Sequence, residues 1–172
     1  MLGSWFRSSN EKEELGMSQL QTNRAELIRY IESQGWRYTV RTDNDERYVL
    51  RMGFNVDCKL RNIEMLVIAD DRAIQSIGVC PINAQRDEYD KVVEYLTRAN
   101  YGLRIGKFEF DHNDGEVRFQ SILPCLAGQP DQRTIEMVVD MPINMFNKYG
   151  DGLVKALMGF GDPEADIAAA EA

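Results

Sequence analysis

The chain has 172 residues, with 20 Lys plus Arg against 28 Asp plus Glu, a single His and three Cys. A chain of that length buries about 70% of the surface its unfolded form exposes, so one domain can form a core without disulfides or metal. At 44% apolar and 28% charged residues, disordered, collagen-like and whole-chain coiled-coil classes are excluded.

The net charge of -8 argues against a generic phosphate-backbone binder, because that affinity comes from Lys and Arg displacing counterions. No apolar run is long enough to span a bilayer, and the opening MLGSWFRSS is too short in apolar residues for a secretory signal. A cytoplasmic location without a membrane partner is the expectation. Cys58, Cys80 and Cys125 are odd in number, far apart and without a CxxC pair, which predicts three buried reduced thiols.

Residues 1–17 mix Ser, Gly and charges without a period and read as a flexible arm. From Ser18, Leu20, Leu27, Ile28 and Ile31 share one side of a 3.6-residue period, with Ser18 and Gln21 at capping-box spacing, and Gly35 stops the helix. WRYTVR and RYVLRMGF flank Asp43-Asn44-Asp45, a hairpin signal. Within it, Trp36, Tyr38 and Val40 should share a face with Tyr48, Leu50 and Met52.

A third strand over Asn62 to Ala69 is almost wholly apolar and reads as central, followed by a fourth over Ala73 to Val79. Tyr89, Val92, Val93 and Leu96 mark a second helix, with Asn83 as its candidate cap. Strands over Leu103 to Asp111 and Glu116 to Leu123 meet at Asp114-Gly115. A helix from Asp131 to Met141 should break at Pro142, a shorter one runs from Asp151 to Met158, and residues 161–172 read as a flexible acidic, Ala-rich tail. The fold class is therefore α+β: an antiparallel sheet flanked by helices in the order α-β-β-β-β-α-β-β-α-α, forming one domain over residues 18–160.

Catalytic signatures are scarce. The one imidazole, His112, lies in a hairpin turn, and the string Asp111 to Gly115 places its Gly one position too early for a calcium loop, with Ile122 where that loop needs Glu. No GxGxxG, GxxxxGK, HExxH or GxSxG occurs. Asp87, Glu88, Asp90 and Glu94 read as the solvated side of a helix. No catalytic residue, cofactor or metal is assigned.

Two surfaces remain as candidates. Arg37 and Arg41 share a strand face with Arg47 and Arg51, directed away from Trp36 and Tyr48. A turn pairing Thr42 with Glu46 would oppose Arg41 to Arg47 and Arg37 to Arg51, which is unfavourable unless an anion or carboxylates intervene. That face could bind an acidic partner or a nucleic acid. The second surface is apolar: Met141, Met145, Phe146, Leu153, Leu157, Met158 and Phe160, with Met137 and Val154 beside them. Core packing accounts for most of these, yet Met side chains adapt to varied partners, so the group is also a candidate client or dimer surface.

The run Glu94-Tyr95-Leu96-Thr97-Arg98-Ala99-Asn100-Tyr101, followed by Leu103-Arg104-Ile105-Gly106-Lys107-Phe108-Glu109 and Asp114-Gly115-Glu116-Val117-Arg118, resembles the YbjN family. These bacterial proteins are labelled sensory transduction regulators and are similar in fold to type III secretion chaperones. The likeness is strongest over residues 85–123 and looser from Ser18 to Phe160. It implies that Val93 and Leu96 anchor a helix on the sheet, that Phe108 and Phe110 share a strand face, and that Gly115 permits a tight turn. For function it implies a non-catalytic, cytoplasmic, dimeric binding protein, similar to chaperones that hold an extended client segment. The reading is a chaperone-like adaptor or regulator that binds another protein, with nucleic-acid or anionic-ligand binding through the arginine face as the alternative.

Overall fold

The computed structural model describes residues 17–172. The arm expected over residues 1–17 therefore lies outside the described residues except for Met17, which is exposed. Helix α1 (Gln19–Ser33) starts at a complete capping box: Ser18 Oγ accepts from the Gln21 amide at 3.2 Å, and Gln21 Oε1 accepts from the Ser18 amide at 2.9 Å. Gly35, at φ +67°, takes the chain out of the helix.

The strands are β1 (Thr39–Asp43), β2 (Arg47–Asn55), β3 (Asn62–Asp70), β4 (Ala73–Val79), β5 (Lys107–Phe110) and β6 (Val117–Pro124). They form one antiparallel sheet in the order β1-β2-β3-β4-β6-β5. β1 begins later than WRYTVR suggests, because Trp36 instead sets its ring edge against Tyr30 and Phe54, at centroid distances of 5.7 and 4.6 Å. β5 is shorter than the sequence indicates. Gly106 sits at φ +74°, where a Cβ would lie 2.6 Å from the Gln120 carbonyl oxygen, and regular pairing starts only after it.

Helix α2 (Tyr89–Asn100) follows a 3₁₀ turn at Arg86–Glu88. Asn83 is not its cap; that side chain donates to the Asp114 carbonyl at 3.2 Å and ties the approach to α2 to the β5–β6 turn. Leu96 is buried, as are Val92, Tyr95 and Ala99, while Val93 is half-buried.

The break expected at Pro142 does not occur. One helix, α3 (Gln132–Leu157), carries Pro142 in its interior. A proline there removes the donor for the carbonyl four residues back, and Ser121 Oγ fills that place, donating to the Val138 carbonyl at 2.6 Å. Ser76 Oγ donates to the neighbouring Val139 carbonyl at 3.1 Å. Within the tail expected over residues 161–172, residues 163–171 form a helix. Asp162 caps α4 (Pro163–Glu171) by accepting from the Glu164 and Ala165 amides, each at 3.1 Å, and Lys155 donates to Asp166 at 2.5 Å. Tyr149 Oη closes the helix end by donating to Glu171 at 3.0 Å.

The core lies between the helices and one face of the sheet. Ile63, Met65, Val67, Ala69, Ile74 and Phe119 supply that face, and Leu27, Ile31, Tyr95, Phe146, Tyr149 and Leu153 meet it from α1, α2 and α3. Gly78 permits a close approach of α3 to the sheet: a Cβ there would stand 2.7 Å from Pro142 Cβ.

Candidate functional site

Strand alternation sends the other half of each strand to the opposite face, and the pairing register fixes what that face contains. Val49, Ile68, Gln75 and Ile122 form one row across β2, β3, β4 and β6. Arg51, Leu66, Ile77, Gln120 and Lys107 form the next, reaching β5. Gly53, Glu64, Val79, Arg118 and Glu109 form a third. The middle of this face is apolar and its flanks are charged.

None of Val49, Leu66, Ile68, Ile77, Val79 and Ile122 joins the core cluster or packs against it. Their exposure is graded: Val49 and Ile77 are buried, Leu66, Ile68 and Val79 half-buried, and Ile122 is 47% exposed. Among the described residues, the helices pack on the opposite face, so this stripe is a second apolar surface separate from the folding core.

The arginine face predicted from the first hairpin lies along one flank of this stripe. Arg47 and Arg51 share the face with Val49, and Arg37 lines a shallow depression with Arg51 and Glu64. The predicted oppositions are absent. The turn closes with Asn44, whose amide donates to the Arg47 carbonyl at 3.2 Å and whose Oδ1 accepts from the Glu46 and Arg47 amides at 3.0 and 2.9 Å. A register shift between Val40 and Thr42 then sets Arg41 out of the ladder and leaves Thr39 opposite Arg51. Like charges are thereby offset.

Arg51 is instead ion-paired with Glu64 on β3. The hydrogen bond from Arg51 holds the Glu64 carboxyl below the usual glutamate range, and the charge of Arg41 acts in the same direction. Arg37, Arg41 and Arg47 are exposed and make no ion pair with the described residues. On the far flank, burial works to raise the Glu109 carboxyl, but hydrogen bonds from Lys107 and Arg118 outweigh it and hold the group low.

The apolar C-terminal group is placed differently from the reading as a surface. Phe146, Leu153 and Leu157 are buried in the core, and Met141 and Met145 are half-buried against it. Their 3.6-residue spacing reflects one buried side of α3. Only Met158 and Phe160 are strongly exposed, at 53% and 69%.

No three His, Cys, Asp or Glu side chains of the described residues gather as a metal-binding group. His112 packs its ring against Phe110 and Tyr89, at 4.9 and 5.9 Å between centroids. All three cysteines are free and buried, and burial pushes the Cys80 thiol up to about 11 and raises Cys58 and Cys125 as well. No helix among the described residues is long and apolar enough to cross a membrane.

Residues 23–154 match the family model of YbjN, described as "Putative bacterial sensory transduction regulator". The chain belongs to the YbjN family. The match runs from within α1 to near the end of α3 and so includes the whole sheet. The description of the family is that of a regulator. No curated protein matches the chain.

Strand periodicity places Arg47 and Arg51 on one face, whereas Arg37 precedes β1 and Arg41 falls at its register shift; the apolar stripe beside them was not singled out. Its signal lies in Ile63 to Ala69, where Leu66 and Ile68 occupy positions that alternate with Ile63, Met65, Val67 and Ala69. Such a two-sided apolar strand normally has cover on both faces. Here the described helices supply it on one.

Proposed function

We propose that this YbjN protein is a non-catalytic, cytoplasmic regulator that acts by binding another protein, and that the uncovered face of its sheet is the binding surface. The observation that carries this reading is the stripe Val49, Leu66, Ile68, Ile77, Val79 and Ile122, which lies outside the core cluster and opposite the helices. Contiguous apolar surface of this kind marks interaction sites in soluble domains.

Charge defines the occupant. Arg37, Arg41 and Arg47 stand beside the stripe without ion-pair partners among the described residues, so the fitting ligand is a protein segment that presents apolar side chains together with carboxylates. Apolar burial would provide affinity, and the arginines would set orientation and encounter rate. The nucleic-acid alternative is less well supported, because Glu64 neutralises Arg51 and a net charge of -8 opposes a polyanion. A homodimer is compatible with the same face.

The test is a photo-crosslinking amino acid placed at Ile122, on the stripe, or at Met158, exposed at the end of α3. The proposal predicts a discrete protein adduct from Ile122 in the native cytoplasm and none from Met158. Adducts from Met158 alone, or nucleic acid at Ile122, would contradict it.

A further inference from the structure

We infer that the depression over Gly53, on the open face of the sheet, is a binding site for a small dianion of phosphate or dicarboxylate chemistry, with Arg37 and Arg51 as its cationic walls. The site lies beside the apolar stripe and needs no protein partner, so it goes beyond the reading of that face as a protein-binding surface.

The pairing register builds the depression. Gly53 stands opposite Glu64, Arg51 opposite Thr39 on one side and Leu66 on the other, and Asn55 opposite Asn62. Residues of one strand that share a face lie about 6.7 Å apart, and neighbouring strands about 4.8 Å, so a glycine at 53 leaves an opening one side chain wide. Arg37, Thr39, Arg51, Asn62 and Glu64 stand around an opening of about 410 Å³. Met52 and Ile63, beneath it, are buried in the core. The volume is within the range of small-molecule sites.

Nothing in the fold asks for a glycine at this position. Gly53 has no positive φ, and a Cβ there would meet nothing within 4 Å. Among the described residues it is the one glycine with neither feature: every other has a positive φ or a close neighbour at the place of its Cβ. Glycine weakens a strand interior, and where neither conformation nor packing requires it, it marks a place where a ligand approaches the backbone closely.

Charge selects the ligand. Arg37 makes no ion pair with the described residues, and Arg51 engages Glu64 through Nη2. A guanidinium carries five N–H donors, so most of those of Arg51 are left for a ligand. Arg41 is near enough for its charge to lower the Glu64 carboxyl. The turn beyond Asn55 adds exposed Asp57, Lys59 and Arg61. Arg37, Arg41, Arg51, Lys59 and Arg61 therefore gather with only Glu64 and Asp57 as opposing carboxylates. Arg47 lies outside the site, at the other end of β2, next to Asp45 and Glu46 of the turn and opposite Asp70.

This local excess of positive charge suits a ligand with two negative charges on oxygen, and the planar guanidinium fork matches carboxylate and phosphate oxygens. The net charge of -8 repels a polyanion along its length. A dianion sits inside the local excess, because charges beyond about 8–10 Å are largely screened.

The test is calorimetric titration of the purified full chain, at low ionic strength, with inorganic phosphate and with succinate, and with acetate as the single-charge comparison. Saturable one-site binding of phosphate or succinate is expected, with acetate weaker by about tenfold or more. Binding of phosphate alone assigns phosphate chemistry, and binding of succinate alone a dicarboxylate. Gly53→Val fills the opening without changing charge and Arg37→Gln removes the unpaired cation; each should weaken binding by about tenfold or more, whereas Arg47→Gln should change it by less than about twofold. Thermal melting accompanies the titrations. Gly53→Ala and Gly53→Val should melt no lower than wild type, since a Cβ at 53 meets no neighbour.

Absence of saturable binding by either dianion overturns the inference. So do equal losses from Arg37→Gln and Arg47→Gln, the mark of diffuse charge attraction, and a lowered melting temperature for Gly53→Ala, which would show that the fold itself needs the glycine. These measurements require no partner, so their failure leaves the Ile122 crosslink as the test of the protein-binding reading, and absence of that adduct leaves the anion site standing.

Discussion

Ser121 Oγ donates to the Val138 carbonyl at 2.6 Å, supplying from the sheet the hydrogen bond that Pro142 removes from its own helix. Ser121 is buried and lies directly opposite Ser76 in the β4–β6 ladder, and Ser76 reaches the next carbonyl of α3. A pair of strand hydroxyls therefore lets a 26-residue helix run through a proline. Ser121→Ala should cost about 1–3 kcal/mol, because a buried carbonyl loses its donor. In a Pro142→Ala background the restored amide can serve Val138, so the cost of Ser121→Ala should shrink. Urea unfolding of the four proteins in the cycle measures this, and equal costs in both backgrounds would refute the coupling.

Gly78 tests the same packing from the other side. A Cβ at this position would stand 2.7 Å from Pro142 Cβ, 3.2 Å from Phe146 and 3.3 Å from Ile63. Gly78→Ala should destabilise by about 1–3 kcal/mol through overpacking. An unchanged urea midpoint would show that α3 can move away at little cost.

Two carboxyls should give stability slopes of opposite sign with pH. Burial raises Asp140, Glu136 adds to the rise, and the hydrogen bond from Tyr30 only partly offsets it. Between the ordinary Asp value of about 4 and the raised folded value, the folded chain binds more protons than the unfolded one, so stability falls as pH rises. Asp140→Asn should therefore gain on the wild type in thermal melts as pH climbs through that window. Glu109 is held low when folded, so its contribution is present above the ordinary Glu value and fades as pH drops through the folded one. Glu109→Gln should lose its disadvantage in acid. Reversed trends would overturn these assignments.

The thiols provide a check on the core. With Cys80 raised to about 11 and Cys58 and Cys125 also raised by burial, little thiolate exists at pH 8, and access is closed. An aromatic disulfide reagent should label all three only as fast as the chain opens. Rapid stoichiometric labelling of the native protein would contradict their burial.

Much of this arrangement was legible locally. The Ser18–Gln21 box, the apolar period of α2 and the alternation of β2 depend on residues a few positions apart, and the structure retains them. Pro142 was misleading because its remedy comes from Ser76 and Ser121, which only tertiary packing brings to α3. The register of β1 eluded prediction because Asn44 shapes the turn and a shift at Arg41 displaces the ladder. Helix α4 was missed although Asp162-Pro163 is a local start signal; only the Lys155–Asp166 contact that holds it needs α3 beside it.

The candidate surface followed the same division. Period-two spacing correctly grouped Arg47 and Arg51. By contrast, helical spacing could not tell a buried side of α3 from a docking side, so Phe146, Leu153 and Leu157 entered the surface reading although they belong to the core. Whether Leu66 and Ile68 have cover depends on which face the helices choose, and that choice is set by the whole fold.

The most direct test of the binding face is the double variant Leu66→Ser plus Ile68→Ser in the full chain, followed by thermal melting and by recovery of the Ile122 crosslink in the native cytoplasm. Because neither residue belongs to the core cluster, the account predicts a melting temperature close to wild type together with loss of the adduct. An undiminished adduct, or a melting temperature lowered as far as by a core truncation such as Leu96→Ala, about 2–5 kcal/mol in stability, would contradict it.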